Sequence, residues 1–222
     1  FGEIRRGPDV KPLPSRPVTL DRSYEVFHED NFATLPELRM VFPTVEEYHK
    51  DSYALQMLGE VLSASKVAPL YKVIVEEQKL APSVSTRQDG SELAGEFVIR
   101  VRASEGIDLD DVKAAIEEGL ARFRRDGFSE SELNRVKAQL ERQLYQGMST
   151  VLNKAFQLAA YNEYAGDPGY IRVEATRMHA VTSDDVMRVF EQYVEGRHYV
   201  MTNFVPKGQV ELVVEGAEMI EV

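Results

Sequence analysis

The chain has 222 residues, 43% of them hydrophobic and 28% charged, and a formal net charge of −11. That charge argues against a nucleic-acid backbone as partner, which needs a basic surface. The lack of cysteine excludes disulfides, thiolate nucleophiles and thiolate metal sites, and no apolar run approaches the roughly 20 residues of a membrane span.

Residues 1–19, FGEIRRGPDVKPLPSRPVT, hold four prolines and two glycines without an apolar period and predict an extended interdomain linker. The chain opens on Phe rather than Met and carries no signal peptide, so it reads as a segment of a longer protein. Composition shows no break between 20 and 206, which predicts one domain with enough apolar residues for a sizeable core. The acidic stretch 207–222 reads as a C-terminal tail, a further strand or the start of another linker.

Tyr24 to His28 suits a short strand. Leu38, Met40 and Phe42 alternate with Arg39 and Val41 and predict a half-buried strand ending at Pro43. A helix is expected from about Val45 to Leu62, with Tyr53, Met57, Leu58, Val61 and Leu62 on one stripe, and a second from about Ala68 to Gln78. Pro82 to Arg87 is a candidate strand, followed by the turn signal QDG at Gln88 to Gly90 and a strand with Phe97, Ile99 and Val101 on one face. Asp108 starts a helix with Gly127 at its C-terminal cap. Ser129 to Glu132 form a capping box for a long helix that Gly147 interrupts, and Gly166 to Pro168 stop its continuation. A short helix is expected near Tyr170 to His179, then one capped by Thr182 and Asp185, then a strand from Tyr199 to Val205. Pairs of adjacent strands between helices predict an α+β fold with a mostly antiparallel sheet covered by several helices.

Chemistry is sparse. The four histidines are dispersed, and the helical zinc motifs H-x-x-E-H and H-E-x-x-H are absent. His28, Glu29 and Asp30 lie on or beside a strand, where neighbours point to opposite faces, so at best one or two of the three could share an ion. Glu46 and His49 fall at i, i+3 on the expected helix start, where acidic residues usually serve the helix dipole. His179 and His198 have no partners in sequence. No G-x-S-x-G, P-loop or G-x-G-x-x-G occurs. The residues therefore predict no metal site in this segment. Carboxylates are abundant, but no acid–base pair stands out among them.

Seven stretches, in order, resemble the pitrilysin/insulinase family of zinc peptidases, in its second, non-catalytic type of domain. FGEIRRG is similar to the segment closing the preceding domain, and LPELRMVFPTVEEYHKDSYALQMLGEVLSAS to the first core strand and long helix. APLYKVIVEEQKLA is similar to the family's SRLYKELREKKGLAY. GFSESELNRVKAQLERQL resembles its G-x-T-x-x-E-L-x-x-A-K helix, AYNEYAGDPGYI and MHAVTSDDVMRVFEQYV its last two helices, and VMTNFVPKG its closing strand.

The resemblance implies the family's metallohydrolase fold. It implies an inactive domain that walls a substrate chamber, packs on a catalytic peptidase domain of the same chain or a partner subunit, and contacts peptide substrate. Zinc is then expected in the catalytic half of the parent, held by two histidines and a glutamate, where it activates water. On this segment Leu55, Leu58 and Gly59 stand where that half has H-x-x-E-H. The arginine and tyrosine by which the family's second domains reach substrate fall on Val75 and Pro82, neither of which has a side-chain donor. Lys72, Lys79 or Tyr71 are the nearby substitutes, with Tyr71 suited to packing. Large bacterial members imply a periplasmic parent. Two alternatives stay open: a scaffold or interaction domain of a relative that has lost proteolysis, and an unrelated acid–base enzyme, which would need a cleft with convergent carboxylates of perturbed pKa.

Overall fold

A computed structural model of the chain describes residues 2–5, 7–9, 11 and 13–220. Residues 1, 6, 10 and 12 of the expected linker, and 221 and 222 of the expected tail, lie outside the described residues.

Among the described residues six strands form one sheet: β1 (Tyr24–Asp30), β2 (Glu37–Thr44), β3 (Val84–Gly90), β4 (Gly95–Arg102), β5 (Val200–Pro206) and β6 (Glu218–Met219), in the spatial order β3-β4-β2-β5-β1-β6. β3, β4, β2 and β5 pair antiparallel, while β1 runs parallel to both β5 and β6. The helices are α1 (Ser52–Ser63), α2 (Pro69–Tyr71, continuing as a π-helical turn Lys72–Glu77), α3 (Leu109–Asp126), α4 (Glu130–Gly147), α5 (Val151–Ala160, continuing as a π-helical turn Tyr161–Ala165), α6 (Ile171–Ala180) and α7 (Ser183–Tyr193). The fold is α+β with a mostly antiparallel sheet. None of the described helices is long and apolar enough to cross a membrane.

The strand alternation decides where the core sits. Leu38, Met40 and Phe42 of β2, Phe97, Ile99 and Val101 of β4, and Met201 and Val205 of β5 are buried on the helix side of the sheet. They meet Leu55, Leu58 and Leu62 of α1, Val112, Ile116 and Phe123 of α3, and Val186, Val189 and Phe190 of α7 in one cluster. Local signals fix the helix ends as read. Asp108 accepts from the Asp110 N–H, and Ser129–Glu132 and Thr182–Asp185 each form a complete capping box. Gly127 takes φ 64° after α3.

Several elements depart from expectation for tertiary reasons. β1 and β2 are consecutive but do not pair, because β5 inserts between them. β2 runs through Pro43; β5 pairing ends at Val41, so one side of β2 has no neighbour there for proline to offend. The helix expected from Val45 starts only at Ser52, since Tyr48 takes φ 59° and breaks the helical path. QDG is strand, and the turn falls at Ser91 to Ala94, closed by a Ser91 N–H to Ala94 carbonyl bond of 2.9 Å. Gly90 and Gly95 serve close approach instead: a Cβ on Gly95 would lie 2.0 Å from the Val45 carbonyl oxygen, and one on Gly90 2.8 Å from the Glu47 Cα. Part of the tail becomes β6, and its Val214 is buried. The described part of the expected linker has no helix or strand, and Arg16 N–H donates to the Leu93 carbonyl at 2.7 Å.

Candidate functional site

The helix that would bear the zinc motif is α1. Leu55 and Leu58 are fully buried in the core cluster. Gly59 lies against β3, where an added Cβ would stand 3.1 Å from the Thr86 carbonyl oxygen. The Thr86 hydroxyl donates to the Gly59 carbonyl, the Thr86 N–H donates to Ser63 Oγ at 3.1 Å, and the two hydroxyl oxygens are 2.8 Å apart. The backbone of β3 at Thr86 and Arg87 thus crowds the place a side chain at position 59 would take. Two leucines and a glycine supply no metal donor, so the residues here do not fit zinc. No group of three His, Cys, Asp or Glu among the described residues is placed to hold a metal ion.

Val75 lies half-buried in the π-helical turn after α2 and packs on the core, while Pro82 is exposed before β3. Lys72 and Lys79 are exposed on the same connection, Lys79 with φ 55°. Tyr71 packs against the core. Arg122 of α3 clamps the turn through a two-pronged bond to Glu77, both distances 2.7 Å, and a further bond to Glu118.

The histidines stay apart. His28 Nδ1 is 3.3 Å from the Ile220 carbonyl, Glu29 accepts from the Gly208 N–H, and Asp30 accepts from the Phe32 N–H. Glu46 and His49 sit in the loop before α1 rather than on it: Glu46 accepts from Ser15 Oγ, and His49 Nδ1 accepts from the Asp51 N–H. His179 Nε2 is 3.2 Å from Glu141. His198 borders a cleft of about 380 Å³ beside Pro17 and Tyr193.

The same loop builds a ring cluster at the head of α1. Tyr48 packs on Tyr161 and Tyr170 with centroids 5.6 and 5.0 Å away, and Tyr161 and Tyr170 are 5.7 Å apart. The Tyr161 hydroxyl, carried on the π-helical turn after α5, donates to Glu174, and Arg177 donates to the Tyr48 carbonyl and the Tyr170 hydroxyl. Burial pushes the Tyr48 phenol up to about 12. Burial also raises Glu174, and burial with the charges of Glu174 and Asp89 raises Glu47. Nearby, Asp51 is held below the usual range: its burial opposes ionisation, but Arg188 and Tyr193 of α7 each donate to it at 2.8 Å. AYNEYAGDPGYI marked this region as a motif. The partnership with Tyr48, 113 residues before Tyr161, has no sequence period.

On the other face of the sheet Glu37 accepts from Arg39 Nε at 2.6 Å and from Arg100 Nη2 at 2.7 Å. A cleft of about 310 Å³ lies over these residues, with Arg102, Phe32 and Phe204 on its border. The alternation placed these side chains on the face away from the helices but did not mark them as a cluster.

The chain matches the family model described as the peptidase M16 inactive domain over residues 1–140. No curated protein matches the sequence at a significant level. Solved structures share its fold. A protease from Helicobacter pylori is 16% identical with a TM-score of 0.74, covering 90% of this chain and 49% of its own. A peptidase M16 inactive domain from Pseudomonas fluorescens is 15% identical with a TM-score of 0.72, covering 97% of this chain and 48% of its own. The periplasmic protease PqqL from Escherichia coli is 17% identical with a TM-score of 0.65, covering 85% of this chain and 21% of its own. This chain thus spans about half, or less, of the length of these proteins. With the model matching more than half of its residues, the chain belongs to the peptidase M16 inactive-domain family.

Proposed function

We propose that the chain is the non-catalytic domain of a zinc metallopeptidase: it forms part of the wall of a substrate chamber and packs on a catalytic domain, in the same chain or a partner subunit, that holds the zinc. The observation that carries this reading is α1, whose motif positions are the buried Leu55 and Leu58 and the β3-contacting Gly59. A helix so filled serves the fold and leaves chemistry to another domain. Support for packing on a second domain comes from α5, where Val151, Leu152, Phe156 and Leu158 are all exposed. A grouped apolar surface of this kind is what an interface covers. Lys72 and Lys79, exposed beside Val75 and Pro82, are the proposed substrate contacts in place of the family's arginine and tyrosine. The likeness to the periplasmic PqqL supports a periplasmic parent.

A second reading, a scaffold or interaction domain of a relative without proteolysis, is favoured by Val75 and Pro82 alone, since neither can reach a substrate carbonyl with a donor. Zinc content and peptide hydrolysis, measured on this chain and on the full-length parent, separate the two. An active, zinc-loaded parent with an inert chain is the expected result. A metal-free, inert parent would leave the scaffold. Stoichiometric zinc with hydrolysis by this chain alone would overturn both.

A further inference from the structure

The sheet face turned away from the helices is charged in an unbalanced way. Arg39 of β2 lies directly opposite Arg100 of β4, and Glu37 lies opposite Arg102. Like charges paired across strands repel. Glu37, only 8% exposed, offsets this by taking one donor from each of Arg39 and Arg100. One carboxylate therefore fixes two guanidinium groups, each left with four of its five N–H donors. Arg102 has no partner among the described residues. The Arg39 guanidinium is also seated 5.5 Å from the Phe204 ring centroid, which restricts it further. Asp30, the other acid on the cleft, accepts from the Phe32 N–H through one of its oxygens, and the Phe32 ring is 92% exposed.

Three guanidinium groups with spare donors, two of them held by Glu37, face the two carboxylates of Glu37 and Asp30 and leave a local excess of positive charge in a chain of net charge −11. Their spread along two strands, with an exposed aromatic ring alongside, suits an extended chain better than a compact anion. We propose that this open face docks an acidic peptide segment, whose Asp or Glu carboxylates take the free N–H groups of Arg39, Arg100 and Arg102 while an apolar neighbour rests on Phe32. This site is separate from the Lys72 and Lys79 connection, and it stands whether or not the parent is a peptidase.

The test is fluorescence anisotropy on the chain with a labelled extended peptide bearing three Glu and one Phe, against the same peptide with Gln for Glu. The Glu peptide is expected to bind at least about tenfold more tightly, and its affinity to fall as NaCl rises from about 50 to about 500 mM. Arg102→Gln, which removes no hydrogen bond or ion pair among the described residues, is expected to weaken binding about fivefold or more. Arg172→Gln, an exposed charge on α6, is expected to leave it unchanged. Melting curves that superimpose for all three proteins show that folding is not the cause. Equal affinity for the Gln peptide, no binding, or an Arg102→Gln variant that binds like the parent chain would overturn the proposal. So would full displacement of the peptide by equimolar inorganic phosphate, which would mark a simple anion site.

Discussion

α1 and α5 are both apolar helices, yet ten of the twelve residues of α1 are buried and none of the ten of α5 is. α1 lies in the middle of the helix layer, touching α2, α4, α6, α7 and β3. α5 contacts chiefly the π-helical turn that continues it. Apolar content alone therefore does not make a helix part of a core. In α1 it holds this domain together, and in α5 it is left available for something outside the domain.

Four substitutions break or sharpen that contrast. Leu58→Ala should cost the most, about 3 kcal/mol in urea unfolding, because it empties a fully buried leucine site among rigid neighbours. A loss under about 1 kcal/mol would mean that α1 is not the centre of the core. Asp51→Ala should cost about 2 kcal/mol by the same measurement, since it removes the acceptor that Arg188 and the half-buried Tyr193 share and unties α7 from the head of α1. Retention of full stability would show that this tie is dispensable.

A smaller effect is expected from the raised carboxylates beside α1. Glu47 and Glu174 bind protons more tightly folded than unfolded, so their ionisation opposes folding. Stability should then fall as pH rises above the unfolded value of 4.5 and level off once both are ionised. Asp51 and Glu37 act oppositely, since their lowered values lend stability that disappears as pH drops below the ordinary carboxylate range. Maximum stability at mildly acidic pH is the outcome. Glu174→Gln should raise the Tm at neutral pH and flatten its pH profile, and an unchanged profile would refute the assignment to this group.

Least affected should be the Phe156→Asp variant on α5, whose stability should change by no more than about 0.5 kcal/mol because the ring is already in water. Its cost should appear only in association with the proposed catalytic domain, read by co-purification of the two as separate chains. Destabilisation comparable to Leu58→Ala would mean that α5 is covered within this domain, and the contrast would fail.

The helix caps were legible because each is a local event. Asp108, Ser129 and Thr182 recruit donors two or three residues away, and a short window of sequence contains the whole interaction. That the zinc-motif positions of α1 bear Leu55, Leu58 and Gly59 was legible for the same reason, since they lie within four residues of one another. The start of α1 was not, because Tyr48 leaves the helical path to reach Tyr161 and Tyr170 on elements more than a hundred residues away. QDG misled because Gly90 is a glycine for the sake of the loop at Val45 to Glu47, not for a turn.

By itself the sequence determined the alternation of β2 and β4, the caps, the α+β class and the absence of ligands where a zinc helix would carry them. All of these depend on spacing within one or two turns or along a single strand. Only the tertiary structure decided that β5 separates β1 from β2, that three arginines and one glutamate share an open face, and that α5 remains uncovered. Those facts depend on which distant segments meet, and sheet pairing settles that through contacts far apart in the chain.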